Sequence, residues 1–392
     1  MFRKVAIIEL YDHGEVLRDT YYLLKEVSQQ ILIFTTPGIK DDLESIGLEG
    51  PNLNWELILA QQSHKQFLEA RMELLQSCDS IFLLTINRPF AFYSTLPFLS
   101  KTILLIHNTH AFLTPWRNIA WSRQRFIEIL LRVMRYYFSG DRHHLKKILS
   151  ETRVWAFPSE GTQQYAEEVG AIFPGKPTVV LPLGLPDSPA FTLTSDHELN
   201  ICVPGTIKEN GRDYGLLYAG ITALLRMQCN RIRLCLLGRP QGTYGQRIQE
   251  EFLELQLRYP QMDLAFFTEE VSQETYDREL QNASFLVLPL LPRSRYDAFH
   301  EQIGFSTVTG GVNDMSRFGI PAIVPHFYPL ESWRENLVER YNTEEDFCHK
   351  LFEWISERKY TMIQQVYSKK QRDRKILLQH FIVDFSKGFE KH

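Results

Sequence analysis

A chain of 392 residues exceeds what one hydrophobic core organises, so two domains are expected. An apolar fraction of 44% and a charged fraction of 23% describe an ordinary soluble globular protein, and a net charge of −4 removes any global electrostatic case for nucleic acid. The five cysteines (Cys78, Cys202, Cys229, Cys235, Cys348) are scattered and form no CxxC pair, which excludes a disulfide framework or a cysteine zinc site and fits a reducing compartment. No apolar run reaches the ~18–20 residues that cross a bilayer, and Met1–Lys4 leads straight into a strand rather than a leader, so a cytoplasmic location is expected.

In chain order, Val5–Leu10 reads as a buried strand, followed by the loop Tyr11-Asp12-His13-Gly14 and a helix from Glu15 to Val27. Ile31–Thr35, Glu56–Ala60, Ile81–Ile86, Thr102–His107 and Val154–Phe157 read as further strands, with helical spacing at His64–Gln76 and again up to Val169. Strands alternating with helices predict a parallel, doubly wound α/β sheet over residues 1–183. Ligands of such sheets sit beyond the carboxyl ends of the strands. Two polar loops fall there: Asp12-His13-Gly14, and His107 to His110. Asp12, His13 and His110 are therefore candidates for proton transfer or for hydrogen bonds to sugar hydroxyls.

Between Trp116 and Lys147 lie eight basic residues (Arg117, Arg123, Arg125, Arg132, Arg135, Arg142, Lys146, Lys147), opposed only by Glu128 and Asp141. Trp116, Trp121, Phe126, Ile127, Leu130, Leu131, Met134 and Tyr137 interleave at helical spacing. A basic amphipathic segment with aromatics suits an anionic membrane surface or an anionic acceptor; the plainer reading is a core-packed helix with a solvated basic face.

Pro and Gly in Val179–Pro186, then a polar stretch to Glu198, mark a domain boundary. The strand–helix pattern restarts over 195–365. Leu199–Val203 is a strand that runs into Pro204-Gly205-Thr206-Ile207-Lys208-Glu209-Asn210-Gly211-Arg212 and a helix from Gly215 to Arg226. A strand, a glycine-containing loop with cations and a helix start form an anion-site layout in which Gly205, Thr206, Lys208 and Arg212 approach phosphate oxygens. Arg233–Leu237 ends in Gly238-Arg239, Leu264–Phe267 is followed by Thr268, and Phe285–Leu288 precedes Thr309-Gly310-Gly311, which opens a helix stopped by Gly319. Glycines there admit a close ligand and also a mere tight turn. Neither GxGxxG nor GxxxxGK[ST] is present, so a dinucleotide fingerprint and a P-loop are both unsupported.

Taken together, the Gly205–Arg212 loop, the strand ending in Leu236-Leu237-Gly238, and Asp314 ahead of Gly319-Ile320-Pro321 resemble the nucleotide-sugar-binding half of GT-B glycosyltransferases, family-4-like enzymes of bacterial, including cyanobacterial, envelope polysaccharide biosynthesis. The resemblance implies two Rossmann-like domains facing each other across a cleft. An N-terminal acceptor-binding domain would span 1–183, with a C-terminal helix at 369–392 packing back on it, and a donor-binding domain would span 195–365. By position it assigns Asp314 to the ribose, and Glu301, in Glu301-Gln302-Ile303-Gly304-Phe305, to contact with the donor sugar as a catalytic residue. The chain departs from the family in that twelve residues, not seven, separate Glu301 from Asp314, and in Gly211 standing where a lysine is expected. The implied activity is transfer of a hexose, by default glucose from UDP-glucose, to a hydroxyl of a polysaccharide or lipid-linked saccharide. No Asp-x-Asp motif occurs, no metal and no cofactor beyond the co-substrate is expected, and peripheral membrane contact would run through 116–147. The alternatives are a non-hydrolysing nucleotide-sugar 2-epimerase, which leaves the basic aromatic segment without a role, and a catalytically silent binding module of the same fold.

Overall fold

A computed structural model of the chain describes residues 2–122, 126–185, 199–227 and 231–369. The C-terminal helix expected at 369–392 lies, beyond Lys369, outside them. The chain divides into two compact units. Among the described residues, unit 1 holds those up to Leu183 together with Arg295–Glu301, and unit 2 holds those of Gly184–Ser294 and 302–369.

Unit 1 is built on seven strands: β1 (Phe2–Ile8), β2 (Ser28–Thr35), β3 (Leu53–Leu57), β4 (Ser80–Leu83), β5 (Thr102–Leu105), β6 (Val154–Phe157) and β7 (Thr178–Val180). They form one parallel sheet in the order β3-β2-β1-β4-β5-β6-β7, with Ile7 opposite Ile33 on one side and Phe82 on the other. Val5, Ala6, Ile7 and Ile8 are all buried, as a strand covered on both faces requires. The covering helices are α1 (Gly14–Leu24), α2 (Pro37–Ser45), α3 (His64–Glu69), α4 (Met72–Gln76), α5 (Thr109–Leu113), α6 (Phe126–Phe138), α7 (Asp141–Glu151) and α8 (Glu160–Glu168).

Two expected helical stretches are each broken. His64–Gln76 becomes α3 and α4, with Ser63 and Gln66 closing a capping box at the first start. The basic stretch starts in a single turn at Pro115–Arg117, leaves Trp121 outside any helix, and from Phe126 becomes α6 and α7, separated at Gly140, whose φ of +80° only glycine adopts without strain.

Unit 2 carries β8 (Leu199–Pro204), β9 (Ile232–Leu237), β10 (Met262–Phe266) and β11 (Phe285–Val287). The chain then runs through a polar hairpin, β12 (Arg293–Tyr296) and β13 (Phe299–Gln302), and returns as β14 (Ala322–Pro325) and β15 (Val338–Tyr341). The parallel sheet has the order β10-β9-β8-β11-β14-β15, so the strand order reverses beside β8, where doubly wound folds bind ligands. Its helices are α9 (Tyr214–Arg226), α10 (Gly242–Arg258), α11 (Gln273–Gln281), α12 (Gly310–Phe318), α13 (Glu344–Ser356) and α14 (Lys359–Lys369). The period-two geometry of a strand sorts residues between two cores. Ile201, Val203, Leu234 and Leu236 join Leu217, Phe252 and Trp354 on one face; Cys202, Cys235 and Leu237 join Val312 and Met315 on the other.

The tip of the hairpin, Arg295–Glu301, belongs to unit 1. Ala298 and Phe299 sit in the core of that unit, and the Ala298 and Asn118 carbonyls accept the Ala120 and His300 amides.

Candidate active site

In unit 2 three loops converge at the end of β8. Gly205, at φ +99°, hydrogen-bonds through its amide to the Leu237 carbonyl at 2.7 Å, and the Ile207 amide donates to the Arg239 carbonyl at 3.0 Å. A Cβ on Gly238 would lie 2.4 Å from the Gly205 carbonyl, so this approach of backbone to backbone requires glycine. A Cβ on Gly311 would meet Leu288 at 2.8 Å and Pro204 at 3.2 Å, which seats the start of α12 against the end of β8. A Cβ on Gly310 would meet nothing within 4 Å, and the Thr309 side chain does not cap the start of α12.

Arg212 closes the β8–α9 loop from above. Its guanidinium donates to the Pro204 carbonyl and, at 3.4 Å, to that of Thr206, and so lies over Gly205. Its Nε is buried with no hydrogen-bond partner among the described residues, a donor left for something else. Lys208 lies in the same loop. Partial loss of water around its ammonium, and then the Arg212 charge, hold its pKa below the ordinary value even though the residue as a whole is exposed. The structure thus brings Gly205, Thr206, Lys208, Arg212, Gly238, Arg239 and the Thr309-Gly310-Gly311 start into one group of loops. Thr268 is exposed beyond β10, and no contact ties it to that group.

Asp314 sits in the middle of α12 and is buried. Its carboxylate accepts from the Tyr276 hydroxyl at 2.8 Å and pairs with Arg317 at 3.5 Å. The residue assigned by resemblance to a ribose is thus held by its own unit.

Unit 1 places a second set of groups at the β1/β4 switch point. Glu9, fully buried, accepts from the Thr85 hydroxyl at 2.6 Å and the Tyr11 amide at 2.9 Å, which ties the two strand ends together. Burial raises its pKa, against those hydrogen bonds and the nearby His13. His13 stacks on His107 at 5.1 Å and lies 3.4 Å from Glu15. Burial pulls the His13 pKa down, but the Glu15 hydrogen bond and the charges of Glu15, Glu9 and Asp12 outweigh it, so the net shift is upward. His107 is desolvated, faces His13, and is pushed down to about 3; its Nε2–H donates to the Leu84 carbonyl at 3.0 Å. Asp12 is exposed beside them. Glu9, Thr85 and Glu15 were not among the sequence-derived candidates. The available signal was a glutamate at the carboxyl end of an otherwise apolar strand.

His110 and Glu301 form a separate, enclosed arrangement in unit 1. Glu301 is fully buried and accepts from the amides of His110 at 3.3 Å and Ala111 at 2.9 Å. It therefore caps the start of α5, where Asn108 makes no side-chain cap. The His300 carbonyl, 2.7 Å from His110 Nδ1, can only accept, so that nitrogen carries the proton and Nε2 accepts from the Tyr165 hydroxyl at 2.7 Å. Burial lowers the His110 pKa, in keeping with a neutral ring. Glu301 thus lies with unit 1, whereas the resemblance assigned it to the donor sugar.

No family model and no curated protein matches this chain. Solved structures do. A glycosyltransferase from Rickettsia africae superimposes with a TM-score of 0.59 at 10% identity, over 99% of this chain and 98% of that one. HepE from Anabaena, solved with UDP, gives 0.56 at 11% identity over 100% of both chains. Sucrose-phosphate synthase from Thermosynechococcus elongatus gives 0.55 at 12%, over 99% of this chain and 98% of that one. At such identities the likeness is one of fold, and it agrees with the two parallel sheets and their strand orders: the chain has the two-domain GT-B fold.

Proposed function

We propose that the protein is a glycosyltransferase that uses a nucleoside diphosphate sugar, with unit 2 holding the donor and unit 1 the acceptor. The observation that carries this reading is the convergence at the end of β8: two glycine-backed loops, the open α12 start and the partnerless buried Nε of Arg212 at one sheet edge. HepE has also been solved with UDP and glucose, which supports UDP and glucose as the default donor pair. In the reaction the bond from the anomeric carbon to the diphosphate oxygen breaks and its electron pair leaves with the nucleotide. A bond to the acceptor oxygen forms, and the hydroxyl proton passes to His13 or Asp12. Charge builds on the departing diphosphate, and Arg212, Lys208, Thr206 and the amides at 309–311 offset it. Asp314 and Glu301 serve by position, Asp314 through Tyr276 and Arg317, Glu301 by fixing α5 and the His110 loop.

The chemistry requires no metal, because cations and amides of the chain meet the phosphate charge; turnover is expected to persist in EDTA. The acceptor is a polysaccharide or lipid-linked saccharide, reached at the inner face of a membrane through the basic aromatic segment 116–147. Among the described residues no helix is long and apolar enough to cross a membrane.

Calorimetric titration of UDP, GDP and ADP, and of their glucose conjugates, tests the donor site. One nucleotide is expected to bind at micromolar concentration, and Arg212→Ala to weaken it by about 1.5–3 kcal/mol, the range for a hydrogen bond to a charged group. Absence of binding by all of them overturns the reading.

A further inference from the structure

Unit 1 contains a cavity of about 790 Å³ that the donor chemistry does not use. It lies at the carboxyl edge of the sheet, between the loop after β4 (Asn87–Ala91), the α5 residues Ala111 and Phe112, one face of α6, and the hairpin tip. Its volume is within the range that holds a small ligand. Arg88, Arg132 and Arg135 line it, against Asp141 and Asp297. Each carboxylate is already engaged. Asp297, at φ +52° in the turn of the hairpin, sits between Arg88 at 3.3 Å and Arg132 at 2.6 Å, and Asp141 accepts the Phe90 amide at 3.3 Å. The Arg135 side chain makes no hydrogen bond or ion pair among the described residues, so the cavity carries one uncompensated guanidinium beside two that share Asp297, of which Arg132 also pairs with Glu128 at 3.0 Å. A guanidinium presents five N–H donors in a fork matched to phosphate, and here most of those donors are unspent.

The walls add a second property. Phe90, Phe112, Tyr136 and Phe299 give the cavity apolar sides. The helix that supplies Arg132, Arg135 and Tyr136 carries a further stripe. Ile127, Leu131, Met134 and Phe138, at intervals of four, three and four, are 72%, 61%, 43% and 82% exposed. Going round α6, the buried residues Ile129, Val133 and Tyr136 come first, then Arg132 and Arg135, then the exposed stripe. A ligand with a diphosphate head and an apolar tail would meet the cavity and the stripe in that order.

We propose that the Arg88–Arg132–Arg135 cavity binds the phosphate-bearing head of the acceptor, a diphosphate that joins the saccharide to a prenyl lipid. The inference rests on the transferase reading and names its acceptor class. A phosphate on a soluble saccharide has the same head chemistry, and only the stripe separates the two sources.

The test is calorimetric titration of the full chain, first saturated with UDP, with farnesyl diphosphate below its micelle concentration, inorganic pyrophosphate, and farnesol. Both anions are expected to bind, farnesyl diphosphate at least tenfold more tightly than pyrophosphate, and Arg135→Ala to weaken both at least tenfold. Arg135 is exposed, so its variant folds; Arg135→Lys, which keeps the charge and loses the fork, should fall between. Equal affinity for the two anions, lost in Arg135→Ala, keeps the phosphate site and overturns the lipid. Binding of neither anion, or binding indifferent to Arg135, overturns the whole inference. Failure of UDP to bind in the first step is a separate result, which sinks the donor reading while the Arg135 comparison still stands.

Discussion

At the scale of single residues, the β1/β4 cluster sorts its histidines by charge. His13 has its pKa raised by Glu15 and neighbouring carboxylates, while His107, stacked on it, is held near 3 by burial and by the His13 charge. The two stacked rings are thus shifted in opposite directions. The stability linked to His13 is complete below its unfolded pKa of ~6.5 and is lost as pH rises through its folded value. That linked to His107 runs the other way and is lost as pH falls from ~6.5 toward 3. Glu15→Gln removes the main charge that raises His13, so an NMR titration of the His13 ring should show a lower midpoint in the variant and little change for His107. An unmoved His13 midpoint would mean that Glu15 does not set its charge. Sequence alone marked Asp12 and His13, because they follow a strand. It could not show Thr85 holding Glu9 across the switch point, because the Glu9–Thr85 bond spans 76 positions.

At the scale of elements, α6 is unusual in having two apolar faces. Packing uses the one made by Ile129, Val133 and Tyr136 and leaves the other in water. Exposing four large side chains in line forfeits about 1.5–3 kcal/mol for each one left unburied, which a surface partner would recover. The basic residues around it make an anionic bilayer the fitting partner. Cosedimentation with phosphatidylglycerol vesicles is expected for the native chain. In Leu131→Ser/Phe138→Ser the bound fraction should fall several-fold with no loss of thermal stability; equal binding by that variant excludes α6 as the contact. The strands and most helices were legible, because burial on both sheet faces writes continuous apolar runs such as Val5–Leu10 and Leu199–Val203. The hairpin was not. Arg293–Tyr296 is polar and pairs only with its own return strand, so it has no periodic signature. Glu301 at its end was accordingly read with the segment that follows it, when its partners lie 190 positions away in α5.

At the scale of the molecule, the chain leaves unit 1 after Leu183, comes back for Arg295–Glu301, and departs again. That visit supplies Phe299 to the core, Asp297 to two arginines and Glu301 to the α5 amides. A fragment of residues 1–183 would keep every strand of its sheet and lack all three. Loss of Phe299 alone should cost ~3–5 kcal/mol, with a further ~1–3 kcal/mol for the uncapped amides. Urea unfolding should show the fragment to be marginal, and a synthetic peptide of residues 293–302 added in trans should raise its midpoint. A fragment as stable as unit 1 in the whole chain would show the hairpin tip to be dispensable. The hairpin also bears on how such a protein can be recombined. A crossover at the Leu183 junction, the obvious place to splice on a foreign half, would inherit a socket without its plug. A workable chimera has to carry residues 295–301 with the first half, so the heritable module here is a discontinuous one.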